Sequence, residues 1–104
     1  LPLDRTDPQY RQVEMMLVGH GYSDLRGVLD ELMDRVVDHF DIRSSMAKEI
    51  DALPRSRSEK ARLRLALWFW DSDITEIRNS DVHCLDPTNR KRFVDAMASW
   101  AGVV

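Results

Sequence analysis

Residues 78–83 read Arg-Asn-Ser-Asp-Val-His and hold the side chains best suited to catalysis in this chain of 104 residues. A histidine side chain exchanges protons near neutral pH, so His83 is suited to act as a general acid or base. A guanidinium group keeps its positive charge and matches the geometry of phosphate oxygens, so Arg78 is suited to holding a phosphate and stabilising its developing charge. The two residue types together are therefore appropriate for chemistry on a phosphodiester.

The same six residues resemble the signature of the HEPN superfamily of all-α ribonucleases, in which an arginine, a polar residue and a histidine recur at this spacing. The resemblance implies cleavage of RNA, without a metal, at an interface between two protomers. It implies an acid–base role for His83, a phosphate clamp at Arg78 and an orienting role for Asn79. The alternative, which we favour, is a solvated polar stretch before the last helix, since short motifs also arise by chance.

A longer pattern begins with Ser58 and basic residues, passes through the apolar run into Trp68-Phe69, and ends in Ser80-Asp81-Val82 and Leu85-Asp86. Residues 58–86 are thereby similar to an uncharacterised family of small all-α proteins from bacterial plasmids and integrative elements. This resemblance implies a mobile-element context, cap positions for Asp81 and Asp86, and a core position for Trp68. In that family the position of His83 is usually aromatic and Arg78 has no counterpart, which favours a protein without catalytic activity.

Charge is concentrated in two segments of opposite sign, although a net charge of −3 gives no general attraction to nucleic acid or anionic membranes. Asp30, Asp34 and Asp38 recur every four residues and form a carboxylate stripe that is a candidate docking surface for a basic partner. Segment 55–64 is basic, and its candidate contacts to a partner or to nucleic acid are Arg55, Arg57 and Lys60. Charged faces of helices are usually just solvated, and we prefer that interpretation for the carboxylate stripe, which the basic segment partly balances. Nucleic-acid binding by segment 55–64 is unsupported, since the helix that follows offers almost no exposed polar face and no aromatic residues alternate with the basic ones.

A metal site is not indicated. Asp81, His83, Cys84 and Asp86 are close in the chain, but zinc sites usually show paired cysteine or histidine ligands, and Cys84 is the one cysteine. No glycine-rich phosphate loop is present either. The sequence therefore predicts no cofactor and no metal.

Five helices must position these groups. Asp7-Pro8 is a start signal for a first helix that runs to about Val18. Ser23 is the predicted cap of a second helix, whose apolar residues follow helical spacing from Leu25 to Phe40. A third helix is expected over about 45–53.

Ser56 or Ser58 opens the fourth helix, which reaches about Asp71. Its residues 63–70 are apolar nearly all round, so it is predicted to be the central helix, with its tryptophans in the core. Asp86-Pro87 opens the last helix, which ends at Gly102. Its predicted buried stripe consists of Phe93, Val94, Met97, Ala98, Trp100 and Ala101. Residues 72–86 are left open as a turn or a short helical piece.

Composition agrees with this reading, since 43% hydrophobic and 32% charged residues are typical of a globular chain. The longest apolar run, 65–70, is much shorter than the roughly 20 residues that span a bilayer. A single cysteine and a start at Leu1 without a basic-then-apolar leader favour a cytoplasmic protein. We therefore expect one domain over residues 1–104, an all-α compact bundle of about five helices that does not enter a membrane.

The favoured function is a small non-catalytic helical module for protein interaction, an accessory protein of a bacterial mobile element. Its partner is another protein or a second copy of the chain. Surplus apolar residues of the first helix and its end (Tyr10, Met15 or Met16, Tyr22) are the predicted surface for self-association. The first alternative is the HEPN-type ribonuclease, and RNA is expected as a partner only in that case. A weaker alternative is a nucleic-acid-binding accessory protein.

Overall fold

The computed structural model describes residues 4–18, 23–36 and 41–103, and these ranges contain six α-helices and no strand. The helices are α1 (Tyr10–Leu17), α2 (Arg26–Val36), α3 (Ile42–Asp51), α4 (Arg57–Trp70), α5 (Asn79–His83) and α6 (Pro87–Ala101). The all-α prediction is confirmed. The described ranges hold six helices rather than the expected five, because α5 forms in the stretch 72–86 for which the sequence allows a turn or a short helical piece.

Two of the predicted helix starts are confirmed by their caps. The Ser56 hydroxyl accepts a hydrogen bond from the Glu59 N–H, and the Glu59 carboxylate accepts one from the Ser56 N–H, which is a reciprocal capping box. The Asp86 carboxylate accepts from the Asn89 N–H at the start of α6. Gly102 ends α6 with a φ of 74°, a left-handed conformation that glycine adopts without strain.

The other predicted starts are wrong by a few residues. The carboxylate of Asp41 caps α3 by accepting from the Ser44 N–H, so that α3 begins at Ile42 rather than at about residue 45. At α2 the Asp24 carboxylate accepts from the Arg26 N–H, whereas Ser23 was the predicted cap. Asp7 accepts from the Gln9 N–H within a turn, so that α1 begins only at Tyr10. At α2 an aspartate lies next to the expected serine, and its charged oxygen is the stronger acceptor.

The core is built around α4, as predicted. Its residues Ala61, Leu63, Leu65, Ala66, Leu67 and Phe69 are all buried. Helix α1 packs against α4 and α6, and α3 links α2 to α4. Each fully buried leucine stabilises the fold by roughly 2 kcal/mol relative to an exposed one, so the α4 face is the largest local contribution to the core. The end predicted for the second helix, Val37 to Phe40, lies outside the described residues.

Two arginines hold the C-terminal end of α1. Arg62 of α4 donates from Nε to the Met16 carbonyl (2.9 Å) and from Nη2 to the Leu17 carbonyl (2.8 Å). Arg92 of α6 donates to the carbonyls of Met15 (3.0 Å) and Val18 (2.6 Å). The last carbonyls of a helix have no partner within it, and a positive charge there is favourable to the helix dipole. The two cations therefore fasten α1 to α4 and α6 at once.

The tryptophans are not the core residues that the sequence predicted. Trp68 and Trp70 are half-buried, Trp100 is 48% exposed, and Val94 in the predicted buried stripe is 60% exposed. Phe69 occupies the core position instead, with 1% exposure. The reason is that α6 packs mainly on α1 and touches α4 through aromatic rings, so part of the apolar surface of both helices stays uncovered.

Candidate functional site

Asp81, which belongs to the motif at residues 78–83, fixes helix α5 to α4 through an ion pair with Arg64. Asp81 is 1% exposed and accepts from Nε (2.8 Å) and Nη2 (2.7 Å) of Arg64. Its second oxygen accepts from the Arg78 backbone N–H at 3.0 Å. Arg64 also reaches Asp51 of α3 at 3.3 Å. Asp81 therefore closes the first turn of α5, and it is also the buried partner that holds this short helix in place.

The structure places Arg78 and His83 on different surfaces of one chain, although both side chains are exposed. Arg78 lines a cleft of about 260 Å³ beside α3, and His83 lines a separate depression of about 490 Å³ between α4 and α5. Asn79 is exposed and lines neither of them. The three residues proposed for catalysis are thus close in sequence but are not brought together around one cavity.

The cleft that holds Arg78 carries balanced charge. Its other lining residues are Asp41, Arg43, Ser44, Ala47, Asp51, Arg64, Thr75 and Glu76. Arg43 and Glu76 form an ion pair of 3.0 Å from opposite sides, and Arg64 is engaged by Asp51 and Asp81. Because three carboxylates face three guanidinium groups, the cleft has no net preference for an anion or a cation.

The predicted carboxylate stripe on α2 is partly neutralised. Asp30 accepts from Arg5 at 2.8 Å, and both side chains remain partly exposed. Asp34 is exposed, and Asp38 lies outside the described residues. Exposed pairs of this kind add about 0–1 kcal/mol to stability. The stripe therefore includes at least one carboxylate whose charge is balanced by its own chain.

Of the three basic residues chosen as candidate contacts, two are engaged locally. Arg55 pairs with Glu59 at 3.0 Å, and the Lys60 ammonium donates to the Asp51 carbonyl at the end of α3 (2.8 Å). The side chain of Arg57 is exposed and makes no hydrogen bond or ion pair within the described residues. Most basic side chains of segment 55–64 therefore form ion pairs or hydrogen bonds within the chain, and the segment is not a continuous basic surface.

The three tryptophans of the chain meet at one surface groove, which sequence reasoning missed. We call the groove lined by Gln9, Trp68, Trp70, Asp71, Ser72 and Trp100 the tryptophan groove; Phe69 also contributes atoms, and the volume is about 230 Å³. The rings of Trp68 and Trp100 lie 5.0 Å apart, and Trp70 meets the edge of Tyr10 at 6.4 Å. The Gln9 amide donates to the carbonyls of Phe69 and Trp70, which closes the end of α4 beneath the groove.

The predicted surface for self-association is not available on α1. Tyr10 and Met16 are 3% and 2% exposed, and Met15 is half-buried. Tyr22 lies outside the described residues. The surplus apolar residues of α1 are covered because α1 is packed by both α4 and α6, which the helical pattern of α1 alone does not reveal.

Within the described ranges, no three histidine, cysteine, aspartate or glutamate residues are grouped so that they could hold a metal ion. No described helix combines the length and apolarity needed to span a bilayer. Comparisons of the chain with family models, with curated proteins and with solved structures give no match. The surfaces described above are therefore the basis on which a function is proposed.

Proposed function

We propose that this protein is a small non-catalytic interaction module that binds a partner protein through the tryptophan groove. The observation that carries the proposal is the convergence of Trp68, Trp70 and Trp100 at one open groove. Tryptophan is enriched among the residues that dominate binding energy at protein interfaces, because a large rigid ring becomes buried at small entropic cost. An indole that is 48% exposed has much of that surface still to bury.

The apolar face of α6 extends the surface beyond the groove. Val94, Met97 and Ala101 are spaced three and four residues apart, so they share one side of the helix with Trp100 at its end. Val94 is 60% exposed, Met97 is half-buried and Ala101 is exposed. This stripe is wider than the part that packs on α1, which is typical of a helix with a second partner.

The groove also favours a particular kind of partner. Asp71 is the one charged residue among the described lining residues, and three of the others are tryptophans. A cationic side chain is attracted both to a carboxylate and to the face of an indole ring. The expected occupant is therefore a partner segment with apolar side chains beside a lysine or an arginine.

Selection from a displayed peptide library followed by titration of tryptophan fluorescence tests this proposal. Selected peptides should combine apolar and basic residues, and Trp100→Ala should weaken their binding by about tenfold or more, a loss typical of an interface hot spot. His83→Ala, on another surface, is the matched control and should bind as the wild type does. Peptides that bind Trp100→Ala with unchanged affinity would contradict the proposal.

Light scattering on the wild type and on Trp100→Ala decides whether the partner is a second copy. If the wild type is a dimer and Trp100→Ala is not, the groove mediates self-association. If the wild type is a monomer at high concentration, the partner is a different protein. The proposed setting, an accessory protein of a bacterial mobile element, rests on the resemblance of residues 58–86 alone.

The HEPN-type ribonuclease is the second candidate, and the observation in its favour is that Arg78 and His83 are both exposed. Since they line different cavities of one chain, a catalytic pair would have to be completed by a second protomer. Cleavage of RNA that persists in EDTA and is lost in His83→Ala would establish this function. Intact RNA after incubation with the wild type would exclude it.

A further inference from the structure

Five residues of α4 and the α5 region line the shallow depression beside His83: Arg57, Ser58, Ser80, His83 and Cys84. Four of these side chains are able to donate hydrogen bonds strongly, and no carboxylate is among them. Within the described part of the chain, the side chains of Arg57, Ser58, Ser80 and His83 have no hydrogen-bond partner. The depression is thus lined by hydrogen-bond donors that have no acceptor partner within the described part of the chain.

A further cation lies at the edge of this depression. Arg90 of α6 donates from Nη2 to the backbone carbonyl of His83 at 3.1 Å, which places a second guanidinium group against the backbone of a residue that lines the depression. Helices α4 and α5 therefore supply the donors that line the depression, and α6 adds a cation beside the His83 backbone. Charges grouped in this way reinforce one another, because their potentials add over a few ångströms.

The carboxylates that are close in sequence to the lining residues are engaged by other partners. Asp81 is buried against Arg64, and Asp86 accepts the Asn89 N–H. For Glu59, burial opposes ionisation, but hydrogen bonds from Arg55 and Ser56 outweigh it and lower the pKa of the carboxyl. Glu59 is therefore a fixed charge engaged outside the depression, and no described acid neutralises Arg57.

We propose that this depression binds the phosphate group of a ligand. Arg57 would supply paired charge-assisted hydrogen bonds, and Ser58, Ser80 and His83 would donate to the remaining oxygens. Among the described residues, no tryptophan, tyrosine or phenylalanine lines the depression, so we expect contacts to phosphate rather than to a nucleobase to dominate. The open shape allows the phosphate to remain attached to a larger molecule, so free phosphate and a nucleic-acid phosphodiester share the chemistry that is recognised.

Arg78 provides a matched contrast. Its side chain is also exposed, but Asp41, Asp51 and Glu76 line the same cleft and balance its three guanidinium groups, so the cleft has no net attraction for a phosphate. Two arginines on neighbouring elements thus differ mainly in the charges that surround them. The proposal therefore predicts that Arg57 matters for phosphate binding and that Arg78 does not.

A titration of the ¹⁵N-labelled protein with inorganic phosphate, at constant ionic strength against chloride, tests the site. Amide shifts should concentrate at residues 57, 58, 80 and 83, and Arg57→Gln should weaken binding by about tenfold, the effect of losing one charge-assisted contact. Arg78→Gln should bind as the wild type does. Both residues are exposed, and the dispersion of each spectrum verifies that the variant is folded.

Shifts spread evenly over all lysines and arginines, or equal binding by Arg57→Gln and wild type, would overturn the proposal. A second arm uses a short single-stranded RNA. Tighter binding than phosphate at the same residues assigns the site to a phosphodiester, and binding of inorganic phosphate alone assigns it to a small ligand. Trp100→Ala should leave both titrations unchanged, so this result is independent of the tryptophan groove.

Discussion

At the scale of single residues, the arginines of this protein divide into structural and available groups. Arg62, Arg64 and Arg92 are drawn inward by carbonyls and a buried carboxylate, although all three belong to basic stretches of the sequence. Arg57 and Arg78 keep exposed side chains. What separates the two groups is the presence of an acceptor on a neighbouring helix. Charge counted along the chain therefore overestimates the basic surface that a partner would meet.

The pair of Arg64 and Asp81 supplies a prediction at this scale. Asp81→Ala should lower the free energy of unfolding by about 3 kcal/mol, because the mostly buried Arg64 guanidinium then keeps only its longer contact to Asp51. Asp51→Ala removes the exposed contact of the same guanidinium, and its cost should stay below about 1 kcal/mol. Urea denaturation of the two variants measures both values. Equal losses would show that the burial of Asp81 does not control the stability of α5.

At the scale of elements, the caps decide where the helices start, and α4 is the clearest case. Both Ser56 and Ser58 are acceptable caps by residue type, and both precede the apolar run. Ser56 is the cap because Glu59 lies three residues after it and completes the reciprocal pair of hydrogen bonds. The spacing from serine to glutamate therefore distinguishes two start sites that serine preference alone leaves equal.

The two serines give a matched test of the cap. Ser56→Ala should destabilise the protein by about 1 kcal/mol, the usual cost of removing a helix cap. Ser58→Ala should change stability much less, since its hydroxyl has no hydrogen-bond partner among the described residues. Thermal unfolding followed by circular dichroism compares the two variants. A larger loss in Ser58→Ala would mean that α4 starts later than the structure shows.

At the scale of the whole molecule, one core is shared by helices from both ends of the chain. Buried residues of α1, α2, α3, α4 and α6 form a single hydrophobic cluster. The arginines that fasten α1 come from α4 and α6, so α1 has no stable position without both helices. Such mutual dependence favours cooperative unfolding, which is common in domains of this size.

The expected outcome is a single unfolding transition. Tryptophan fluorescence reports on α4 and α6, whereas far-ultraviolet circular dichroism reports on all helices, so the two midpoints in urea should coincide. An earlier loss of helical signal than of fluorescence would show that α2 and α3 unfold separately from the rest.

Much of the fold was predictable because its signals are local. Aspartate and serine caps, proline after Asp86 and glycine at 102 act within one helical turn, and the apolar run of α4 is long enough to indicate a central helix. The all-α class follows from these features. The starts of α1, α2 and α3 were wrong by a few residues. At α2 the adjacent Ser23 and Asp24 compete as caps, and at α1 a turn at Asp7 precedes the helix.

The tertiary structure alone decided which apolar and charged surfaces remain exposed to solvent. A tryptophan on the apolar face of a helix gives the same sequence pattern whether or not a neighbouring helix covers it. The sequence therefore predicts core positions for Trp68, Trp70 and Trp100. Likewise, Arg78 and His83 are five residues apart, but the packing of α5 on α4 turns them toward different cavities. Periodicity along a chain determines which face of a helix is apolar, whereas coverage depends on distant elements whose contacts are not encoded in any one segment.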